Sequence, residues 1–198
     1  MVHQARFQNR FILMLISIIV LNGCMQPVRN DIFLYRTINS TSPDLKAVNG
    51  IIYLKDSLFN GTIFTLFPNS TDTAAIMNFK NGQESGIWKK KYTDNSLAET
   101  REFKDGKKVG VYLAFWPNGH KKLQYEFVNG EYEGTCYEWN VDGQLVKEAN
   151  YRAGHEDGPQ KIFYDNGKIR SNYIMINGRR FGLLGTKNCI NVSDSIFK

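Results

Sequence analysis

Cysteine, histidine and proline are scarce in this 198-residue chain, at three, three and five residues. Cys24, Cys136 and Cys189 are too few for a disulfide scaffold and too far apart in sequence for a zinc knuckle. Neither a metal centre nor a cofactor is expected. His3 lies in the N-terminal segment, while His120 and His155 fall at turn positions, which is a poor basis for acid–base chemistry. The consecutive His155, Glu156 and Asp157 could not all face one ion without strain. Ser-His-Asp order, a nucleophile elbow, a P-loop, His-Glu-X-X-His and a helix-opening Gly-X-Gly-X-X-Gly are all missing, so no enzymatic activity is expected. The low-hydrophobicity, high-charge profile of disordered chains is missing too: 42% of residues are hydrophobic, 13% aromatic and 22% charged. The chain should fold.

A long apolar run is also lacking. Residues 11–21 (FILMLISIIVL) are apolar but for Ser17, and a spanning helix needs about 20 such residues. With Arg6 and Arg10 before it, the run matches a secretory signal. Leu21-Asn22-Gly23-Cys24 then resembles the lipobox of bacterial lipoproteins, which implies cleavage before Cys24 and acylation of that residue. The other reading is a plain signal peptide with a chance cysteine. The expected organisation is a signal at 1–23, a lipidated N-terminus and flexible spacer at 24–49, a repeat array at 50–182 and a capping tail at 183–198. The expected location is the bacterial cell envelope, with the membrane reached through the N-terminal lipid. Removing the signal lowers the net charge from +6 to +4, so the basic excess gives little support to a nucleic-acid partner, and none is expected.

What the sequence does have is glycine at fixed intervals. Gly82, Gly106, Gly130, Gly154 and Gly178 are each 24 residues apart, and Gly86, Gly110, Gly134, Gly158 and Gly182 keep the same interval, with Gly61 one residue out of step. Asp94-Asn95, Asn118-Gly119, Asp142-Gly143 and Asn166-Gly167 form a third series in phase. After each second glycine comes an aromatic-rich run, such as VYLAFW at 111–116, then the dipeptide, then a run ending at Phe103, Phe127, Tyr151 or Met175. This reads as strand, turn, strand. Type I′ turns are expected at Gly119, Gly143 and Gly167, since that turn needs positive φ at both central residues. The glycines at 82, 106, 130, 154 and 178 are expected to reverse the chain between units.

The expected fold is all-β: an elongated single-layer antiparallel meander of about five 24-residue hairpins with a C-terminal cap. Trp88, Tyr112 and Cys136 share one repeat position, and Tyr92, Trp116 and Tyr164 share another four residues on, so one face should carry an aromatic ladder. The ladder reads as the core of a thin sheet or as a stacking surface for sugars or bases. Cys136 and Cys189 lie about two units apart, hence some 20 Å along the sheet, beyond disulfide reach. Two unpaired thiols are expected. The tail beyond Gly182 leaves the period and is expected to close the open edge, with a functional motif around Cys189 as the alternative.

The unit best seen at Phe115-Trp116-Pro117-Asn118-Gly119-His120 with Asn129-Gly130 resembles the MORN repeat variant, found in bacterial proteins commonly labelled YwqK-type antitoxins. The resemblance covers roughly residues 61–182 and departs at Asp94-Asn95 and at Asn140, where an aromatic is replaced. It implies a scaffold without catalytic residues. The mixed charges between paired glycines, from Gln-Glu-Ser at 83–85 to Arg-Arg-Phe at 179–181, suit recognition of a protein surface or plain solubility. Three functions remain open: a membrane-tethered, non-catalytic interaction module with a protein partner, an antitoxin or immunity protein masking a toxin, and a thiol-dependent redox or metal-handling protein using Cys189.

Overall fold

The computed structural model describes residues 36–185. Cys24 and the signal segment, and Cys189 with most of the tail, lie outside the described residues. Within the described residues there are seventeen strands and no helix: β1 (Arg36–Asn39), β2 (Leu45–Val48), β3 (Ile51–Leu54), β4 (Ser57–Leu58), β5 (Gly61–Leu66), β6 (Thr73–Lys80), β7 (Gln83–Glu84), β8 (Gly86–Lys91), β9 (Leu97–Lys104), β10 (Lys107–Phe115), β11 (Lys121–Val128), β12 (Glu131–Tyr132), β13 (Gly134–Trp139), β14 (Leu145–Arg152), β15 (His155–Phe163), β16 (Ile169–Ile176) and β17 (Arg179–Leu183). A 14-stranded sheet runs in the order β1-β5-β6-β8-β9-β10-β11-β13-β14-β15-β16-β17, with β7 paired to β6 and β12 to β11, while β2-β3-β4 form a second sheet. From β5 onward all pairing is antiparallel; β1 joins β5 in parallel. The fold is thus an all-β meander of hairpin repeats.

Both turn families reverse the chain as expected, but the type I′ geometry lies between the units and not within them. Positive φ at two successive residues, the mark of type I′, occurs between units, at Asn81-Gly82, Asp105-Gly106, Asn129-Gly130, Ala153-Gly154 and Asn177-Gly178. Inside the units Gly119, Gly143 and Gly167 are left-handed, but the residues before them are not. There the Gly119 N–H donates to Trp116 O at 2.8 Å, and the Trp116 N–H donates to His120 O at 2.8 Å. The same pair of bonds recurs at Asn140-Gly143-Gln144 and Tyr164-Gly167-Lys168. This is the three-residue hairpin loop in which a left-handed glycine follows an ordinary turn. Pro117 suits such a turn with its fixed φ, and the Asn118 carboxamide oxygen accepts from the His120 N–H at 3.1 Å. A type I′ turn could not use either residue in this way.

The second glycine series has a separate cause. Pairing of β9 with β10 passes from Val109↔Glu102 to Leu113↔Thr100, so two extra residues are accommodated on β10 around Gly110, whose φ is 64°. β15 does the same around Gly158 between Glu156 and Gln160. A bulge with a left-handed residue bends the strand sharply, and glycine takes that conformation without steric cost.

Buried side chains project from one face of this sheet. Gly86 faces Phe103 across the hairpin, Gly110 faces Phe127, Gly134 faces Tyr151 and Gly158 faces Met175. Two residues along come the pairs Trp88↔Arg101, Tyr112↔Tyr125, Cys136↔Ala149 and Gln160↔Tyr173. Phe103, Phe127, Cys136, Ala149, Gln160 and Tyr173 are buried. Trp88 packs on Phe103 with ring centroids 4.5 Å apart, and Tyr112 meets Tyr125 edge-on at 6.2 Å. The aromatic core therefore includes the second-strand rings Phe103, Phe127 and Tyr125, which the ladder expected from Trp88, Tyr92, Tyr112, Trp116 and Tyr164 leaves out. A bulge between Lys90 and Lys91, and another between Ala114 and Phe115, separates Tyr92 and Trp116 from Trp88 and Tyr112. The four-residue spacing consequently does not keep them in one line.

Residues 36–48, expected within the spacer, carry β1 and β2. Their apolar side chains have a place to go: Ile38 and Leu45, with Ile52 and Leu54, pack on the buried cluster Phe59, Ile63 and Phe79. The small sheet is tied to the first inter-unit turn by the Ile52 N–H donating to Gly82 O and the Gly82 N–H donating to Phe59 O, both at 2.8 Å.

Candidate functional site

Three carboxylates organise the inner face, each joining neighbouring strands. Glu99 on β9 lies 2.9 Å from Lys90 Nζ and 2.8 Å from Arg101 Nη2, and it accepts from the Tyr112 hydroxyl at 2.8 Å. Glu138 on β13 accepts from the Tyr125 hydroxyl at 2.5 Å and from Lys147 Nζ at 3.1 Å. Glu156 on β15 accepts from the Tyr173 hydroxyl at 3.1 Å and from Arg180 at 3.2 Å. The guanidinium carbons of Arg101 and Arg180 stand 4.6 and 5.1 Å from the Tyr112 and Tyr173 ring centroids, within cation–π range.

The electrostatics follow from burial and these bonds. Burial first, then the bond to Glu99, pushes the Tyr112 hydroxyl up to about 12. Tyr125 and Tyr173 are raised for the same two reasons, with Glu138 and Glu156 as partners. Burial would raise Glu99, but the bonds from Lys90, Tyr112 and Arg101 outweigh it and hold the carboxyl below its ordinary value. Burial would likewise lower Lys147, yet its pairing with Glu138 raises it. Each group is thereby fixed in its neutral-pH form, which makes these groups structural ties between strands. The Cys136 thiol, buried to 1% exposure, is pushed up by burial and is therefore a packed apolar group. Sequence reasoning missed Glu99, Tyr125, Glu138, Lys147 and Tyr173. The one usable signal was the inter-unit charge series, which contains Glu156 and Arg180.

The hairpin ends are linked differently. The Tyr92 hydroxyl donates to Phe115 O at 2.7 Å, and Trp116 Nε1 donates to Trp139 O at 3.0 Å, each reaching 23 residues along the chain. Asn140 takes the next such position, and its carboxamide is engaged locally, accepting from the Gln144 N–H at 2.9 Å and donating to Gln144 Oε1 at 3.1 Å. Tyr164, the last of the series, is 53% exposed. A cleft of about 460 Å³ opens at Asn140, lined by Trp116, Trp139, Val146, Ile162, Phe163 and Arg170 among others. A larger one, about 800 Å³, lies between Asn39–Thr41 and the loop at Thr65–Thr71, with Leu66, Phe67 and Pro68 beside Ser and Thr side chains, and there Thr65 Oγ1 donates to Ser40 Oγ.

The opposite face carries the pairs Ile87↔Glu102 and Val111↔Glu126, with Ile87, Val111 and Val128 about half exposed among charged neighbours. Its last strands add Ile174 opposite Phe181, both exposed. Among the described residues no group of three or more His, Cys, Asp or Glu is placed to hold a metal ion.

Two solved structures of TarM show similarity to this chain. A Staphylococcus aureus TarM mutant, in complex with fondaparinux, α-GlcNAc-glycerol and UDP, is 18% identical over 50% of this chain and 20% of that one, at a TM-score of 0.31. A second TarM crystal structure is 16% identical over 56% of this chain and 21% of that one, at a TM-score of 0.32. The matched segment thus amounts to about a fifth of the length of those structures. No curated protein matches the chain. A family profile for the MORN repeat variant matches residues 156–177. That span falls a little short of one 24-residue unit, running from Glu156 in β15 to the turn before β17, and it supports the resemblance of the repeats to the MORN repeat variant.

Proposed function

We propose that the chain is a membrane-tethered, non-catalytic repeat scaffold that binds a protein partner at the bacterial cell envelope. The observation carrying this reading is the division of labour between the two faces. The three carboxylates of the inner face are closed into pairs with phenols and cations, while the outer face presents Ile87, Val111 and Val128 half exposed between charges. Aliphatic groups in a charged surround match the make-up of a protein-recognition surface. The tether rests on Leu21-Asn22-Gly23-Cys24 in the sequence, since acyl chains on Cys24 would hold the chain after the short apolar run is removed.

The test uses the full chain in a bacterial envelope. A photo-crosslinking residue in place of Val111 is expected to trap one defined protein, and the same residue in place of Tyr132 on the inner face is expected to trap none. Cys24→Ser is expected to leave the membrane fraction. Equal trapping from both faces would sink the recognition reading, and a processed Cys24→Ser chain that stays membrane-bound would sink the tether. A toxin as the trapped partner would identify the antitoxin variant of this reading.

A further inference from the structure

The cleft at Asn140 exists because a repeating contact is interrupted. In two successive units a ring at the start of the hairpin loop, Tyr92 or Trp116, crosses to the next hairpin and gives its hydrogen to a backbone carbonyl. The carbonyl of Phe163 occupies the corresponding place one unit later. The ladder between β14 and β15 ends at Lys147↔Ile162, so Phe163, which pairs Ile169 on β16, has no partner on β14, just as Trp139, which pairs Leu145 on β14, has none on β11 beyond Leu123↔Glu138. Asn140 cannot supply the missing ring. Its side chain is too short, and both its amide ends are engaged with Gln144. The resulting cleft, about 460 Å³, falls within the ~300–1,000 Å³ range of small-ligand sites.

We propose that this slot receives one aromatic side chain, tryptophan or tyrosine, from a partner polypeptide that carries acidic residues beside it. Val146, Ile162 and Phe163 give the slot apolar walls, and the Phe163 carbonyl gives it an acceptor matched to an indole N–H or a phenol. The acidic flank follows from the rim. Lys122 and Arg170 hold the same repeat position two units apart; Lys122 Nζ rests 4.4 Å from the Trp116 ring centroid. Of the carboxylates in the lining, Glu138 is already neutralised by Lys147 at 3.1 Å, which leaves Asp165 against the two cations. A buried aromatic anchor inside a charged rim is the usual form of a binding hot spot. This inference rests on the protein-recognition reading above and extends it to the hairpin-loop end of the inner face, where Glu138 and Lys147 line the slot and Tyr132 does not, and it names the chemistry of the partner.

The test is calorimetric titration of the full chain in detergent micelles with the peptide acetyl-Glu-Trp-Asp-Glu-amide. Acetyl-Glu-Ala-Asp-Glu-amide and acetyl-Lys-Trp-Lys-Lys-amide serve as controls. The tryptophan peptide with acids is expected to bind at least tenfold more tightly than either control, and more weakly as salt rises. Asn140→Trp should fill the slot from within, reducing affinity at least tenfold while raising the melting temperature. Paired Lys122→Glu and Arg170→Glu should reduce affinity at least tenfold while the chain stays folded at the titration temperature, with only the modest loss of melting temperature expected from removing the Lys122–Trp116 contact, and this variant decides the matter if Asn140→Trp folds poorly. Equal binding of the alanine peptide, or unchanged binding by the charge-reversed variant, overturns the proposal. Crosslinking from Val111 separates the two levels: a partner still trapped there, with no peptide bound at the slot, removes this inference alone.

Discussion

Trp116 Nε1 hydrogen-bonds to the carbonyl oxygen of Trp139 at 3.0 Å, so each of these two tryptophans belongs to a different hairpin and one fastens the other. The indole is half-buried and lies under Lys122. Such a contact stabilises the array between units, where a thin sheet has the fewest alternatives.

Trp116→Phe keeps most of the ring area and loses the donor, which should cost about 1 kcal/mol. Trp116→Ala loses both and, since the indole is only partly buried, should cost about 3 kcal/mol, the lower end for a large aromatic. Urea unfolding of the two variants measures the difference. Equal losses would mean that the hydrogen bond alone carries the contact, and no loss in either would show that the hairpin ends are held elsewhere.

Glycines of the two turn families should respond unequally to alanine. Gly82 has φ 75°, and a Cβ there would meet Ile51 Cγ2 and the Ile52 carbonyl oxygen at 2.6 Å, where the small sheet approaches. Gly167 has φ 77° and open space around it. Gly167→Ala should therefore cost only the backbone term, about 1 kcal/mol, while Gly82→Ala should cost at least twice that. Melting temperatures that fall equally in both variants would show that the approach of the small sheet has no energetic weight.

The 24-residue glycine spacing made the meander legible, because each glycine answers a local backbone demand visible within a few residues. Assigning the turn type failed for a reason that is also local. Asn-Gly suits a type I′ turn and equally the last two places of a three-residue loop, and only the hydrogen bond from the Trp116 N–H to His120 O decides between them. The inner-face network was not legible. Glu99 finds Tyr112 and Tyr125 finds Glu138 across different strand pairs, and the register that joins them depends on bulges at Gly110 and Gly134. The strands at 36–48 were likewise hidden, since their partners lie some twenty residues on, Phe59 just before β5 and Ile63 within it.

Cys136 should be chemically silent in the folded chain. At 1% exposure its thiol is out of reach, and burial keeps it protonated. A maleimide reagent is expected to label Cys136 only at the rate at which the sheet opens, and labelling should accelerate in urea near the unfolding midpoint. Rapid labelling at Cys136 in native buffer would mean that the inner face is open to solvent.

The phenol–carboxylate pairs should set the pH limits of stability. The folded Tyr112 titrates at about 12 against an ordinary value of 10.0. A raised folded value means that its contribution is complete below pH 10 and is lost as pH rises from there through about 12, because the unfolded phenol gives up its proton first. Lys147, also raised, adds to the alkaline loss. Glu99 is lowered, so its contribution is present above the ordinary carboxylate value and disappears as pH falls through the folded one. Stability should accordingly be flat through neutral pH, fall on the acid side below about 4.5 and fall again above pH 10. Tyr112→Phe removes one phenol and should flatten the alkaline limb while leaving Glu99 less well bonded, so the acid limb should shift as well. Chemical denaturation at successive pH values, with tyrosinate absorbance followed in parallel, reads both limbs. If Tyr112→Phe lowered stability equally at every pH, the tie between Glu99 and Tyr112 would be one of packing and not of charge.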